Sequence, residues 1–258
     1  MDFQPDENDE VQRPVLAMGH RFPSSFEVAK HVHRRCQFLY AASGVMAVAT
    51  PHGAWVAPPQ RAVWIPGGIP HSVRMVGAVQ TRSVLVETGL CPSRGGLCQV
   101  VEVSPLLRQL LSAAAELAVE YDEHGREGLI MKLLLCEIDR APLIPLAVPF
   151  PAHPALARRC HAFLGRPDAR ATIDGWATDL AMNRRNLTRL FRRETGMSFG
   201  EWRQQACLSV ALPKLAAGEP VTTIALDLGY ENPGNFSTMF KRVLGVSPSS
   251  YRSLPAPP

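Results

Sequence analysis

Two periodicities divide the chain. Between residues 26 and 86, apolar residues come in short runs at β spacing: 45–50 and 54–57 on either side of Pro51-His52-Gly53, then 61–65, 71–76 and 80–86. Pro66-Gly67-Gly68-Ile69-Pro70 breaks the third run from the fourth. Runs of this length, punctuated by glycine and proline, predict an antiparallel sandwich or barrel, and small barrels enclose side chains or one ligand. From Ser104-Pro105, a cap followed by a first-turn proline, the spacing becomes helical. Leu106, Leu107, Leu110, Leu111, Ala114, Leu117 and Ala118 form one stripe, and beyond Gly125 a second runs through Ile130, Leu133, Leu134 and Ile138. Residues 141–153 hold four prolines and read as a stiff connector. The remainder, 154–258, is helical in pattern.

Within this helical remainder a single pattern occurs twice. Ala177, Leu180 and Ala181 give a short helix an apolar face, Asn183 caps a second helix, and Leu187, Leu190 and Phe191 give it a core stripe. Its other face carries Arg184, Arg185, Thr188, Arg189 and Arg192. Sliding the sequence by 48 sets Ala177, Asp179, Leu180 and Ala181 over Ala225, Asp227, Leu228 and Gly229. One further residue in the second turn sets Leu187, Phe191, Arg192, Arg193, Gly196 and Ser198 over Phe236, Phe240, Lys241, Arg242, Gly245 and Ser247. Asn232 and Pro233 supply the cap and first-turn proline of the second copy. The segment between, 199–217, would span ~28 Å as a helix, near the ~34 Å between successive major-groove faces on one side of a duplex. Pro213 falls inside it and is expected to kink or end that helix.

Charge follows the same division. Residues 153–258 hold 14 Lys+Arg against 8 Asp+Glu, while residues 1–152 hold 13 against 15. The positive field is confined to the half with the repeat, where it attracts a polyanion. Six cysteines (Cys36, Cys91, Cys98, Cys136, Cys160, Cys207) form no Cys-x-x-Cys pair, which excludes a zinc ribbon and gives no disulfide framework. No signal segment opens the chain and no apolar run approaches the ~20 residues that span a bilayer, so a cytoplasmic protein without a membrane partner is expected. Residues 1–13, rich in Asp and Glu, read as a disordered acidic tail.

Residues 172–252 resemble the DNA-binding domain of AraC-type transcriptional regulators, two helix-turn-helix units joined by a linker helix. The residues that carry the likeness are Leu180-Ala181, Leu190 to Gly196, Ile224-Ala225, Leu228-Gly229-Tyr230, Phe236, Met239 to Arg242, Gly245 to Pro248 and Tyr251-Arg252. The resemblance implies a sequence-specific regulator that binds double-stranded DNA. Arg185, Thr188 and Arg189 on the first recognition helix, with Gly234, Asn235 and Thr238 on the second, take the positions that face the major groove. Arg184, Arg192, Lys241 and Arg242 are expected to meet phosphate.

His31, His33, Gln37 and His71 are the candidate chemistry of the first half; on a continuous strand 31, 33 and 37 would share a face. Their spacing, with Gly44 and with Pro66, Gly68 and His71, is similar to the cupin family, whose metal-binding members add a carboxylate where this chain has Gln37. Three readings stay open: polar lining of a sensor cavity, a structural or sensed divalent metal on His31, His33 and His71, or a catalytic metal. No cofactor is implied with certainty. Loss of the carboxylate weakens a divalent site and disfavours redox chemistry, so an enzyme is not expected, although a metal-dependent cupin enzyme with an accessory DNA-binding domain is the alternative. Phe38, Tyr40, Trp55 and Trp64 are expected in the core, and Arg34 and Arg35 facing solvent or a ligand.

The expected fold is thus two-domain. Residues 14–103 form an N-terminal all-β cupin-like sensor barrel, followed by helices at 104–140 that either cover the barrel or, as the resemblance to AraC-type regulators implies, pair subunits of a homodimer. A linker at 141–153 leads to a C-terminal all-α double helix-turn-helix at 154–258, and the effector is a small molecule or a metal.

Overall fold

The computed structural model describes residues 11–144 and 146–252, which fall into two compact units divided between residues 144 and 145, with residues 51–54 grouped with the second. The first unit is an antiparallel sheet with helices. Its strands are β1 (Val15–Phe22), β2 (Glu27–His31), β3 (Cys36–Thr50), β4 (Gly53–Ala57), β5 (Arg61–Ile65), β6 (His71–Val86), β7 (Gln99–Glu102) and β8 (Leu143–Ile144). They pair in the order β1-β6-β3-β5-β7-β8, with β2 on β6 and β4 on β3. The two runs expected at 71–76 and 80–86 are one strand. Gly77, at φ 76°, lets it continue through an irregularity that matches the register shifts at Ala41, Ser43 and Val45 of β3. There Gly44 sits at φ 69°, where a Cβ would lie 2.7 Å from the carbonyl oxygen of Ala78, so that close strand approach requires glycine.

Strand alternation separates the two faces of β3. Phe38 and Tyr40, with Trp64, Val84 and Val86, pack against Leu107, Leu110 and Leu111 of α1 (Pro105–Ala114) and Leu134 and Ile138 of α2 (Arg126–Arg140). Gln37 and Leu39 face the other way. Phe38, Tyr40, Trp55 and Trp64 are all buried. Ser104 caps α1 by accepting from the Leu107 amide at 3.0 Å.

Arg35 is not at the surface. It is fully buried, with Nε donating to Glu87 Oε1 at 2.8 Å and Nη2 donating to the carbonyl oxygens of Val11 and Arg13. A buried guanidinium is tolerable only with such partners. These bonds hold residues 11–13, so the end of the expected tail is structured; residues 1–10 lie outside the described residues. Arg34 remains half-exposed and pairs with the same Glu87 at 2.7 Å. Burial pulls the Glu87 carboxyl upward, but the hydrogen bonds and charges of Arg35 and Arg34 outweigh it and hold the group below its ordinary range.

The segment 141–153 does not behave as a free spacer. Leu143 and Ile144 pair with Val101 and Val100 of β7, and β9 (Ala147–Pro149) puts Val148 into the core of the helical unit.

That unit contains α3 (Pro154–Gly165), α4 (Ile173–Asp179), α5 (Arg184–Thr195), α6 (Phe199–Ala216), α7 (Val221–Asp227), α8 (Pro233–Leu244) and α9 (Pro248–Arg252). Trp176 is the hub of its first half, with ring centroids of Phe163, Phe199 and Trp202 within 5.7 Å. The linker helix does not stop at Pro213. Leu212 and Leu215 are fully buried, and Pro213 still accepts the Ala217 amide at 2.9 Å. A proline this close to a helix end forfeits one backbone bond, which burial of its last turn offsets. Among the described residues no helix is long and apolar enough to cross a membrane, and all six cysteines are free thiols.

Candidate nucleic-acid interface and histidine site

The repeat is close enough to set the backbone. Each first helix ends in a turn with a positive φ at the same repeat position, Ala181 at 50° and Gly229 at 77°. Each second helix is capped by asparagine: Asn183 accepts from the Asn186 amide at 2.7 Å, and Asn232 from the Gly234 amide at 2.6 Å. Each closes on a left-handed glycine, Gly196 or Gly245, whose amide donates to the carbonyl of Arg192 or Lys241. Core stripes of Leu187 and Phe191, and of Phe236, Met239 and Phe240, are buried, and this burial fixes which face points outward.

On α5 the outward face is Arg184, Arg185, Thr188, Arg189 and Arg192, all exposed, joined by Arg193, which the spacing does not single out. Arg189 Nη2 donates to Asn186 Oδ1 at 3.3 Å and Thr188 Oγ1 to the Arg184 carbonyl at 2.8 Å. Arg184 lies 3.5 Å from Asp174 of α4, an exposed pair of the kind worth little against a phosphate. On α8, Gly234, Asn235, Thr238, Lys241 and Arg242 are solvent-accessible, and Arg242 donates to Gln204 at 3.1 Å. The first recognition helix therefore carries most of the positive charge, and the second carries small polar groups followed by two cations.

The histidines converge, though not along one strand. His31 ends β2 and pairs with His71 at the start of β6. His33 stands in the loop before β3, where its carbonyl accepts the Gly68 amide at 2.9 Å. Ring centroids of His31, His33 and His71 are 4.3–5.7 Å apart, and one ligand nitrogen from each lies within 4.8 Å of the others.

Their tautomers follow from their partners. The Nδ1 atoms face the carbonyl oxygens of Ala29, Arg35 and Ile69 at 2.9, 2.7 and 2.9 Å. A carbonyl only accepts, so the neutral rings of His31 and His33 carry their proton on Nδ1 and present an Nε2 lone pair, whereas His71 faces an oxygen at both ring nitrogens. Burial pushes the His71 pKa down to about 4, with the Ile69 carbonyl opposing and the His31 and His33 charges adding. His33 Nε2 is buried with no partner. His71 Nε2 and Gln37 Oε1 lie within hydrogen-bonding distance at 3.2 Å, while Gln37 Nε2 donates to Ser83 Oγ at 2.8 Å. Ser83, on β6, is the contributor that motif spacing gave no reason to choose.

Imidazoles anchored through Nδ1 and converging through Nε2, beside an amide oxygen, fit a divalent cation of borderline softness. The carbonyl anchors are the outer support that orients such ligands.

A doubled helix-turn-helix with one arginine-faced recognition helix, joined to an antiparallel sheet unit with a polar site, defines a two-unit DNA-binding regulator. Residues 176–253 match the helix-turn-helix domain family and residues 22–134 the AraC-like ligand binding domain family. The chain belongs to the AraC family of helix-turn-helix transcriptional regulators. It is 31% identical over 249 residues, 96% of this chain and 90% of the relative, to the HTH-type transcriptional regulator NimR of Escherichia coli (strain K12). It is 35% identical over 86 residues, 33% of this chain and 80% of the relative, to the regulatory protein SoxS of the same organism. These relatives are transcriptional regulators, not enzymes.

Proposed function

We propose that this regulator binds promoter DNA sequence-specifically in the cytoplasm and answers to an effector bound at His31, His33, His71 and Gln37, with a divalent metal as a component of that effector. The carrying observation is the buried, unpartnered His33 Nε2 in a cluster where each of the three histidines brings a ligand nitrogen within 4.8 Å of the others. A polar atom left so costs stability unless something meets it.

On the DNA, Arg185, Thr188 and Arg189 with Gly234, Asn235 and Thr238 read bases, and Arg184, Arg192, Lys241 and Arg242 meet phosphate. Arg189→Ala is expected to lower affinity for the selected site by about 1–3 kcal/mol with little change on random duplex. Lys241→Ala should weaken both alike and reduce the salt slope by about one. Gel-shift titrations over a salt series separate the two, and equal losses on both duplexes for both variants would refute this division.

The exposed Leu129 and Leu133 of α2 supply the homodimer face. Leu129→Glu with Leu133→Glu is expected to give monomers in sedimentation velocity; an unchanged sedimentation coefficient would overturn this. Effector control requires that the effector bind two arrangements of the protein with different affinity. Selection of bound duplexes from a random pool, before and after chelation and metal add-back, tests the whole reading. A defined motif altered by chelation supports it, a motif indifferent to chelation removes the metal, and failure to enrich any motif removes specific regulation.

A further inference from the structure

Among the described residues, no negatively charged ligand joins the histidines at the proposed metal site. The potential ligands that cluster there among the described residues are three histidines, with no carboxylate or cysteine joining them. The fourth group facing them, Gln37, is a neutral amide, held by Ser83 on the far side of its head group. Glu87 is already bound at both oxygens, Oε1 by Arg35 and Oε2 by Arg34. Three neutral imidazoles and an amide leave a bound divalent ion with its full charge. His33 and His71 are nearly inaccessible, at 4% and 1% of full exposure. A net charge in so dry a place is costly until a counter-charge joins it. His31 is only half-buried, so the open side of the cluster lies there, and a small ligand from solvent reaches it first.

We infer that Gln37 makes this site select an anionic partner: the metal held by His31, His33 and His71 takes an exogenous carboxylate as an additional ligand, and the carboxylate-bearing small molecule is the organic component of the effector. The inference rests on the metal reading of the preceding subsection. A glutamate at position 37 would supply one negative charge internally and halve the charge of the divalent ion, which leaves an exogenous carboxylate less to neutralise. The amide brings no charge to that position, and its oxygen, 3.2 Å from His71 Nε2, contributes only a dipole. Discrimination follows directly: a carboxylate and its neutral amide analogue have nearly the same shape, and only the first lowers the metal's charge.

The test uses the full-length protein loaded with Co²⁺, whose visible absorption reports its ligands, and titrates it with acetate or with acetamide. Wild type is expected to show a cobalt band absent from His33→Ala, shifted by acetate and unmoved by acetamide. Gln37→Glu is expected to bind Co²⁺ about tenfold more tightly or better, through the added charge, with a spectrum that responds more weakly to acetate than that of wild type. Gln37→Met, neutral and of similar length, should keep the acetate response with weaker cobalt binding. A cobalt band in wild type that ignores acetate, or an acetate shift of equal size in Gln37→Glu, overturns the inference while leaving the metal site standing. Absence of any His33-dependent cobalt band overturns the metal reading itself and this inference with it.

Discussion

Trp176→Ala is expected to remove about 3–5 kcal/mol from the helical unit, the range for truncating a fully buried tryptophan. The indole lies between α3, α5 and α6, with Phe163, Phe191, Phe199 and Trp202 around it in edge or tilted contacts. The guanidinium of Arg159 sits 4.7 Å above its ring. Loss of that volume leaves a cavity ringed by aromatics that cannot all move inward. Against a total stability of roughly 5–15 kcal/mol for a domain, the first recognition helix would lose its support and DNA affinity would fall with it. The indole Nε1 is buried without a partner, so Trp176→Phe loses area but also removes an unsatisfied donor and should cost less than about 1.5 kcal/mol. Trp202→Phe should cost more, because Trp202 Nε1 donates to the Pro149 carbonyl at 2.8 Å and its removal strands that acceptor. Thermal melts followed by circular dichroism rank the three variants. Equal losses for the two phenylalanine substitutions would show that the hydrogen bond contributes nothing net.

Gly67→Ala is expected to destabilise the sheet unit by about 3 kcal/mol, the upper end of what overpacking costs, and to abolish binding at the histidine site. A Cβ on Gly67 would collide with the carbonyl oxygen of Arg34 and lie 3.0 Å from its carbonyl carbon. Both are backbone atoms with no rotamer to give. The loop they belong to carries His33, and its next residue is Arg35, whose carbonyl anchors the His33 ring. Displacing this loop therefore moves a ligand away from the other two. Gly68→Ala is the control. Gly68 adopts φ 77° but a Cβ there meets nothing within 4 Å. It should therefore cost only the left-handed penalty of about 1–2 kcal/mol and leave the site assembled. Cobalt absorption and urea melts of the two variants give the comparison. Retention of His33-dependent cobalt binding by Gly67→Ala would refute the role assigned to this contact.

What the sequence determined by itself was everything written in local spacing. The doubled helix-turn-helix was legible because caps at Asn183 and Asn232, closing glycines at 196 and 245, and apolar stripes three and four residues apart act within one or two turns. The outward arginines of α5 followed from the same stripe, since burying one face of a helix exposes the other. The histidine motif was also legible as a set, but parity on a single strand was the wrong reason for it. His31 meets His71 through a strand pairing between residues far apart in the chain, and His33 joins them from a loop held by Gly68. Such long-range matches depend on register, which no local pattern states. Tertiary structure alone decided that Arg35 is buried on Glu87 and the chain at residues 11–13. It also decided that Pro142 precedes one strand and Pro149 ends another rather than both lying in a spacer, and that Pro213 stays inside α6. In each case a local preference worth a few kcal/mol met buried apolar area or a matched charge worth more. The contacts that prevailed join residues far apart in the chain, and only the folded structure brings them together.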